Sequence, residues 1–111
     1  LNKNLIINPP IPYTHMLALE KAAKVIITDS GGVQKEGYFV GTPCVIPRDE
    51  TEWVELIEIG FNKLCGVNID CIVNSVSTIF QNNNDLPKNS LLYGKGNASD
   101  KIINILLGLE K

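Results

Sequence analysis

The chain contains no long apolar run and no excess of charge of either sign. Nowhere does it have the roughly 18 consecutive apolar residues that indicate a membrane-spanning helix, and it does not open on a run typical of a signal peptide. Its 10 basic and 12 acidic residues are mixed along the sequence, and its net charge is −2. This excludes the basic stripe that nucleic acid requires. We therefore expect neither a membrane nor a nucleic acid as partner.

Histidine and cysteine, the usual ligands of transition metals, are scarce. The three cysteines, Cys44, Cys65 and Cys71, lack the paired short spacing of a zinc site, so we expect no metal. Two of them lie in apolar, strand-like runs, which predicts reduced core thiols in a cytoplasmic protein. His15 is the only histidine and stands at the start of a predicted helix, and we assign it no catalytic role.

The remaining composition is that of an ordinary globular domain. The chain has 111 residues, of which 44% are hydrophobic and 20% charged, enough for one domain with one core. Short apolar runs predict four strands, at 5–7, 24–28, 44–46 and 64–67. The strand at 24–28 is continuously apolar in its middle, which is typical of a central parallel strand covered on both faces.

Helical spacing of apolar residues fills the segments between these strands. It predicts a helix at 14–23 with Thr14 as cap and a second helix that follows Gly32 and stops near Gly41. Three more helices are predicted after a Thr51 cap, at 71–81 before a turn at 81–85, and at 97–108. The inward residues of the last three helices are expected to be Trp53, Leu56, Ile57, Ile72, Val76, Ile79, Phe80, Ile102, Ile103, Leu106 and Leu107.

The alternation of strands and helices indicates the fold class. It predicts an α/β fold, a Rossmann-like parallel sheet sandwiched by helices and joined by right-handed crossovers. Four strands are few for such a sheet, and no linker divides the chain. We therefore interpret residues 1–111 as one part of a larger domain.

The most distinctive residues follow two of the predicted strands. Parallel sheets bind ligands beyond the carboxyl ends of their strands, so Asp29-Ser30-Gly31-Gly32 and Arg48-Asp49-Glu50-Thr51-Glu52 are expected to share one face. Gly31 and Gly32 expose backbone N–H groups at a helix start, where a diphosphate is favoured, and Ser30 adds a hydroxyl. Glu36 lies one turn later and is placed to accept hydrogen bonds from sugar hydroxyls. This pattern describes a ribose-diphosphate site, to which Arg48 contributes charge.

Each of these features also has a structural explanation, and the residues alone leave it open. Two glycines at a strand-to-helix turn often form only a tight connection. A glutamate such as Glu36 on a helix is by default a solvated charge, and Arg48 with Glu52 is also explained by a surface ion pair. For Tyr13 and Met16, core packing is preferred over a base pocket.

The motifs resemble a known family. The run from Ile27 to Glu36, the segments Gly41-Thr42-Pro43-Cys44-Val45, Arg48-Asp49-Glu50-Thr51-Glu52 and Gly60-Phe61-Asn62, and the late Tyr93-Gly94-Lys95-Gly96 stretch look like the C-terminal domain of non-hydrolysing UDP-N-acetylglucosamine 2-epimerases. The spacing between these blocks matches as well. The resemblance covers most of the chain and is weakest between about 70 and 90.

The resemblance implies a fold, an activity and a partner. The family has the two-domain glycosyltransferase-B fold, and this chain would be a partial second domain, without the first domain that supplies the acid and base. The implied enzyme is an isomerase that inverts C2 of a UDP-sugar by eliminating UDP and adding it back, without metal or nicotinamide. The full-length protein would be a homodimer. The substrate-binding residues implied are Ser30, Gly31, Gly32, Glu36, Arg48, Thr51 and Glu52, with no catalytic residue in this chain.

Two features depart from the family pattern. Many members have Arg after the Thr-Glu pair, where this chain has Trp53, and the Thr-Glu-Trp version resembles the subgroup that acts on modified sugars such as UDP-diacetamido-uronic acids. The acid and base of the first domain are also missing, so we expect no turnover by this chain alone. Two alternatives remain: a glycosyltransferase of the same fold, and a nucleotide-binding module without chemistry.

Overall fold

The computed structural model describes residues 2–82, 86–87 and 92–109. Five helices lie in these ranges: α1 (Tyr13–Ala22), α2 (Gly31–Val40), α3 (Val54–Glu58), α4 (Ile69–Gln81) and α5 (Ala98–Leu106). Three strands alternate with the first four helices: β1 (Ile26–Ile27), β2 (Cys44–Ile46) and β3 (Lys63–Leu64). The helix prediction is confirmed in number and, within a few residues, in position.

The three strands form one parallel sheet in the order β1-β2-β3. Ile26 pairs with Cys44, and Val45 pairs with Lys63. The whole of β2 is buried, as expected for the middle strand of a sheet flanked by helices. A parallel α/β sheet is therefore confirmed as the fold class.

Helix α2 lies close against the sheet because Gly37 has no side chain. A Cβ built on Gly37 would lie 2.8 Å from the carbonyl oxygen of Thr42 and 2.9 Å from Sγ of Cys44. The helix ends at Gly41, whose φ of +84° is left-handed, and its N–H donates to the carbonyls of Gly37 and Tyr38. The two glycines thus set how closely α2 approaches β2 and where the chain turns into that strand.

The prediction of four strands, with 24–28 at the centre, is wrong. The apolar run Leu5, Ile6 and Ile7 is exposed by 56%, 80% and 75% and forms no strand. A strand needs a hydrogen-bonded neighbour, and none of the described strands pairs with this run. Because no strand pairs with the outer side of β1, β1 is an edge strand of the described sheet, and β2 is the central strand.

Three local predictions also need correction. Thr14 and Thr51 do not cap helices: Pro12 and Trp53 occupy the N-cap positions of α1 and α3, and neither makes a side-chain capping bond. The strand predicted at 64–67 ends at Leu64, because Gly66 turns with φ +57° and Val67 is 91% exposed. In the turn predicted at 81–85, residues 83–85 lie outside the described ranges.

The apolar faces of the last two helices are less covered than predicted. On α4, Ile72, Val76 and Ile79 are half-buried, whereas Phe80 is exposed. On α5 and just beyond it, Ile102, Ile103, Leu106 and Leu107 are all more than half exposed. Helical spacing predicts which residues share a face, but burial requires a second surface, and the described residues place little against α5.

The cysteines differ from the prediction in part. Cys44 is a free thiol in the core, as expected, and burial raises its pKa to about 12. Cys65 and Cys71 are not reduced thiols but form a disulfide between the end of β3 and the first turn of α4. Their separation of six residues reveals nothing by itself, and only the turn at Gly66 and the start of α4 bring the two side chains together.

Each helix within residues 2–82, 86–87 and 92–109 is too short or too polar to span a bilayer.

Candidate functional site

The loops that follow β1, β2 and β3 meet at one edge of the sheet. The N–H of Gly66 donates to the carbonyl oxygen of Arg48 at 2.9 Å, which links the loop after β3 to the loop after β2. Arg48 in turn donates from Nη1 to the carbonyl oxygen of Asp29 at 3.4 Å, which reaches the loop after β1. The predicted meeting of the segments 29–32 and 48–52 on one face is therefore confirmed.

The loop after β1 leads directly into α2. Ser30 is the N-cap, and its Oγ accepts a hydrogen bond from the N–H of Val33 at 3.4 Å. Ser30 and Gly32 are exposed and Gly31 is half-buried. Since the first N–H groups of a helix have no partner within it, this end of α2 presents donors and a positive dipole end to the solvent.

Glu36 lies one turn further along α2, where the sequence predicts it. Its Oε1 accepts a hydrogen bond of 2.8 Å from the hydroxyl of Tyr13, at the start of α1. This bond is the main reason that the pKa of Tyr13 is raised. Tyr13 is 62% exposed and Met16 38% exposed, so the prediction that both are core residues is wrong. A carboxylate has several acceptor sites, and one bond from Tyr13 leaves others for a ligand.

Arg48 and Glu52 form a two-pronged ion pair. Nη2 of Arg48 lies 2.9 Å from Oε1 of Glu52, and Nη1 lies 3.1 Å from Oε2. The pair raises the pKa of Arg48 and lowers that of Glu52. It also lies against the glycine turn, since a Cβ on Gly31 would be 3.1 Å from Oε2 of Glu52. The pair therefore forms one wall of the turn.

The loop after β2 is joined to α2 through Thr51 and Trp53. The hydroxyl of Thr51 lies 2.5 Å from Oε1 of the fully buried Gln34 and accepts from the N–H of Trp53 at 3.2 Å. The indole N–H of Trp53 donates to the carbonyl oxygen of Gly31 at 2.7 Å. A polar Gln34 on the inward face of α2 was the signal in the sequence for such a contact.

A cluster of side chains that the sequence did not reveal adjoins this loop. Nζ of Lys35 lies 4.2 Å from the ring centre of Trp53 and 4.4 Å from that of Tyr93. The hydroxyl of Tyr93 donates to Oε1 of Glu55 at 2.8 Å. We call Lys35, Trp53, Glu55 and Tyr93 the aromatic clamp. Its members come from three separate segments of the sequence, which is why no local pattern predicts it.

Together these contacts place all seven predicted site residues around the first turn of α2: Ser30, Gly31, Gly32, Glu36, Arg48, Thr51 and Glu52. Exposed N–H donors lie at the tip, and a carboxylate acceptor lies one turn behind. Within the ranges that the structure describes, no three histidine, cysteine or carboxylate side chains are grouped as a metal site would require.

Comparison with known proteins identifies the family of the chain. The family model for UDP-N-acetylglucosamine 2-epimerase matches residues 1–107. A UDP-N-acetylglucosamine 2-epimerase homolog of Methanococcus maripaludis is 43% identical over 96% of the chain, which spans 29% of that protein. A UDP-2,3-diacetamido-2,3-dideoxy-D-glucuronate 2-epimerase of Pseudomonas aeruginosa is 44% identical over 90% of the chain and 28% of its own length.

Solved structures lead to the same family. The UDP-GlcNAc 2-epimerase of Methanocaldococcus jannaschii, solved in complex with UDP-GlcNAc and UDP, superposes with a TM-score of 0.81 at 38% identity. The superposition covers 96% of the chain and 29% of that protein. The resemblance in the motifs, the parallel sheet and the family model thus agree. The chain belongs to the UDP-N-acetylglucosamine 2-epimerase family and has part of its glycosyltransferase-B-type fold.

Proposed function

We propose that this chain binds the UDP part of a UDP-sugar and serves a UDP-N-acetylglucosamine 2-epimerase, an isomerase, as part of its second domain. The observation that carries the proposal is the first turn of α2, where the N–H groups of the half-buried Gly31 and the exposed Gly32 precede the carboxylate of Glu36. The helix start suits the diphosphate, and the carboxylate suits the ribose hydroxyls. The bound UDP-GlcNAc and UDP of the related Methanocaldococcus protein support a ligand of this kind.

The chain spans less than a third of its relatives, so we expect it to bind without turnover. Ligand sites normally surround most of their ligand, and half of an interdomain cleft leaves one side open. Binding by this chain is therefore expected to be weak. Incubation with UDP-N-acetylglucosamine in D₂O is expected to leave the C2 proton unexchanged by NMR. Exchange at C2 would show that the chain itself carries an acid and a base.

The binding site is tested by titration with UDP, following amide shifts by NMR. We expect saturable shifts from Ser30 to Glu36, and weaker binding in Glu36→Ala because an acceptor for the ribose is lost. Glu58→Ala removes an exposed carboxylate from α3 and is the matched control, expected to bind as the native chain does. No shifts with millimolar UDP, or equal loss in both variants, would contradict the proposal.

The sugar is a separate question. Trp53 and the similarity to the Pseudomonas protein favour a modified uronic acid as the alternative to N-acetylglucosamine. Titrations with both UDP-sugars distinguish the two, since the preferred sugar binds more tightly than UDP alone. For the full-length protein we propose a homodimer, which light scattering after gel filtration tests.

A cytoplasmic location is also part of the proposal. The Cys65–Cys71 disulfide argues against it, because cytosolic proteins seldom retain disulfides. Alkylation of freshly lysed cells followed by mass spectrometry decides the matter. Modification of Cys44, Cys65 and Cys71 would agree with a cytoplasmic location, whereas modification of Cys44 alone would not.

A further inference from the structure

The carbonyl group of Gly31, in the first turn of α2, has a partner from outside its own helix. It accepts the indole N–H of Trp53 at 2.7 Å, a bond between the loop after β2 and the start of α2. A trans peptide group is planar, so the carbonyl of Gly31 and the N–H of Gly32 point in opposite directions within one rigid unit. A donor that fixes the carbonyl of Gly31 therefore also fixes the direction of the second group of this unit. That second group, the N–H of Gly32, belongs to the first turn of α2, where N–H groups have no partner within the helix, and Gly32 itself is exposed.

The same bond also changes the donor strength of the peptide group. Hydrogen bonds in series polarise one another, so a donor on the carbonyl of Gly31 makes the N–H of Gly32 a stronger donor. The effect is greatest for an acceptor that carries negative charge, such as a diphosphate oxygen. A neutral ligand without phosphate gains little from it.

Trp53 is itself held at both ends. Its backbone N–H donates to the hydroxyl of Thr51 at 3.2 Å, and Thr51 is bound to the buried Gln34. Its indole N–H is bound to the carbonyl of Gly31, and the ammonium of Lys35 lies 4.2 Å from the centre of its ring. The same ammonium lies 4.4 Å from the ring centre of Tyr93, and this ring packs edge-on against Trp53, with ring centres 6.1 Å apart. Such a ring has little freedom to turn its N–H away.

The chemistry of the side chain explains why tryptophan suits this position. Indole is a donor without an acceptor, and its face attracts a cation. An arginine at this position would also donate to a carbonyl, but it would bring a second positive charge next to Lys35. Trp53 supplies the donor without this repulsion.

We propose that Trp53 is a positioning residue that orients and polarises the Gly31–Gly32 peptide group for the diphosphate of the ligand. The inference rests on the proposed function, since it assumes that the first turn of α2 binds UDP. It assigns to Trp53 no contact with the ligand. Lys35 and Tyr93 hold the indole ring in place.

The test compares UDP and uridine as ligands of the 111-residue chain, by titration calorimetry or NMR. Trp53→Phe keeps a ring for Lys35 but removes the donor, and we expect about five- to tenfold weaker binding of UDP, typical of the loss of one hydrogen bond. Uridine lacks phosphate, and its affinity is expected to be unchanged. A purely structural role of Trp53 would weaken both ligands alike.

Thr78→Val is the control, because it also removes one side-chain hydrogen bond to a backbone carbonyl, that of Asn74 in α4, but leaves the bond to Gly31. We expect its UDP affinity to stay within about twofold of the native value. Equal UDP affinities of the native chain and Trp53→Phe would overturn the inference and leave the proposed function intact. Absence of UDP binding by the native chain would instead remove both.

A measurement on the native chain stands even if Trp53→Phe does not fold. Trp53 is the only tryptophan, so its indole N–H gives one assignable NMR signal. We expect this signal and that of the Gly32 amide to shift together with the same UDP saturation curve, and neither to shift with uridine. An indole signal that stays fixed at saturating UDP would contradict the inference.

Discussion

Two regions of the molecule have similar apolar content but very different burial. Between 26 and 65 lie the sheet and the candidate site, and Cys44, Val45, Ile46 and Leu56 have no exposed surface there. At the two ends, the segment 5–7 and helix α5 are also rich in isoleucine and leucine, yet these side chains are mostly exposed. The middle region has strands and helices on which its apolar residues pack, whereas the described residues offer the ends little to pack on.

The comparison shows that an apolar pattern defines a face but not its partner. Helix α5 has a regular apolar face and remains uncovered, whereas α2, which carries Gln34 and Gly37 inward, is packed against the sheet. The hydrophobic contribution to stability comes from area removed from water, so it should be concentrated in the middle region. Substitutions in the two regions should therefore differ sharply in their effect.

The largest difference is expected between two leucines. Leu56→Ala opens a cavity at a side chain without exposed surface, and we expect a loss of about 2–5 kcal/mol in the free energy of unfolding. Leu106→Ala removes a side chain that is 79% exposed, and we expect a change within about 0.5 kcal/mol. Urea denaturation followed by circular dichroism measures both. Similar losses would mean that α5 is packed in solution and that the comparison is wrong.

A smaller difference is expected between two glycines of α2. Gly37→Ala forces a methyl group against the Thr42 carbonyl, and we expect a loss of about 1–3 kcal/mol, typical of overpacking. In Gly32→Ala the new methyl group meets only Oγ of Ser30 at 3.8 Å, so stability should hold or rise by up to about 1 kcal/mol. Thermal melts of the two variants provide the measurement. A stable Gly37→Ala would show that α2 is able to move away from β2.

The smallest effect is expected at Glu20, the buried acid of α1. Only 2% of Glu20 is exposed, and neither carboxylate oxygen has a partner among the described residues. Burial, and then the charge of Glu36, raise its pKa above the ordinary 4.5, so the folded state binds the proton more tightly than the unfolded state. Tighter proton binding at Glu20 therefore contributes fully to the stability of the folded state below pH 4.5. This contribution is lost as the pH rises through the raised pKa of Glu20.

Glu20→Gln should therefore be more stable than the native chain near pH 7, by about 1 kcal/mol, and similar to it near pH 4. Denaturation curves at several pH values test this, with Glu58→Gln as the exposed control. A native chain whose stability rose with pH relative to Glu20→Gln would show that Glu20 has a cationic partner in solution.

The sequence predicted much of the site because its signals are local. Ser30, Gly31 and Gly32 follow an apolar run directly, and the backbone preferences of these residues place the start of α2 there. Glu36 follows at helical spacing, so its position on α2 needs only the helix. The meeting of this turn with the segment 48–52 needs only that the strands are parallel. Whether these seven residues bind UDP stays a prediction.

The errors arose where a second segment decides the outcome. Strand 5–7 was predicted from its apolar residues, but a strand forms only beside another strand. Cys65 and Cys71 were predicted to be reduced from their number and spacing, but the turn at Gly66 brings them together. Thr51 was predicted to cap α3, but its hydroxyl is bound to Gln34 on another helix. In each case the deciding contact lies outside the local pattern.

By itself the sequence determined the order of elements from α1 to α5, the parallel sheet and the glycine turn at the start of α2, since these depend on backbone preferences and on spacing along the chain. Only the tertiary structure decided that β2 is the central strand, that Tyr13 contacts Glu36, and that Trp53 is bound to Gly31. Those contacts join residues about 20 positions apart, and their formation depends on how closely α1, α2 and the loop after β2 pack. Close packing is a property of the folded chain as a whole, and no local pattern specifies it.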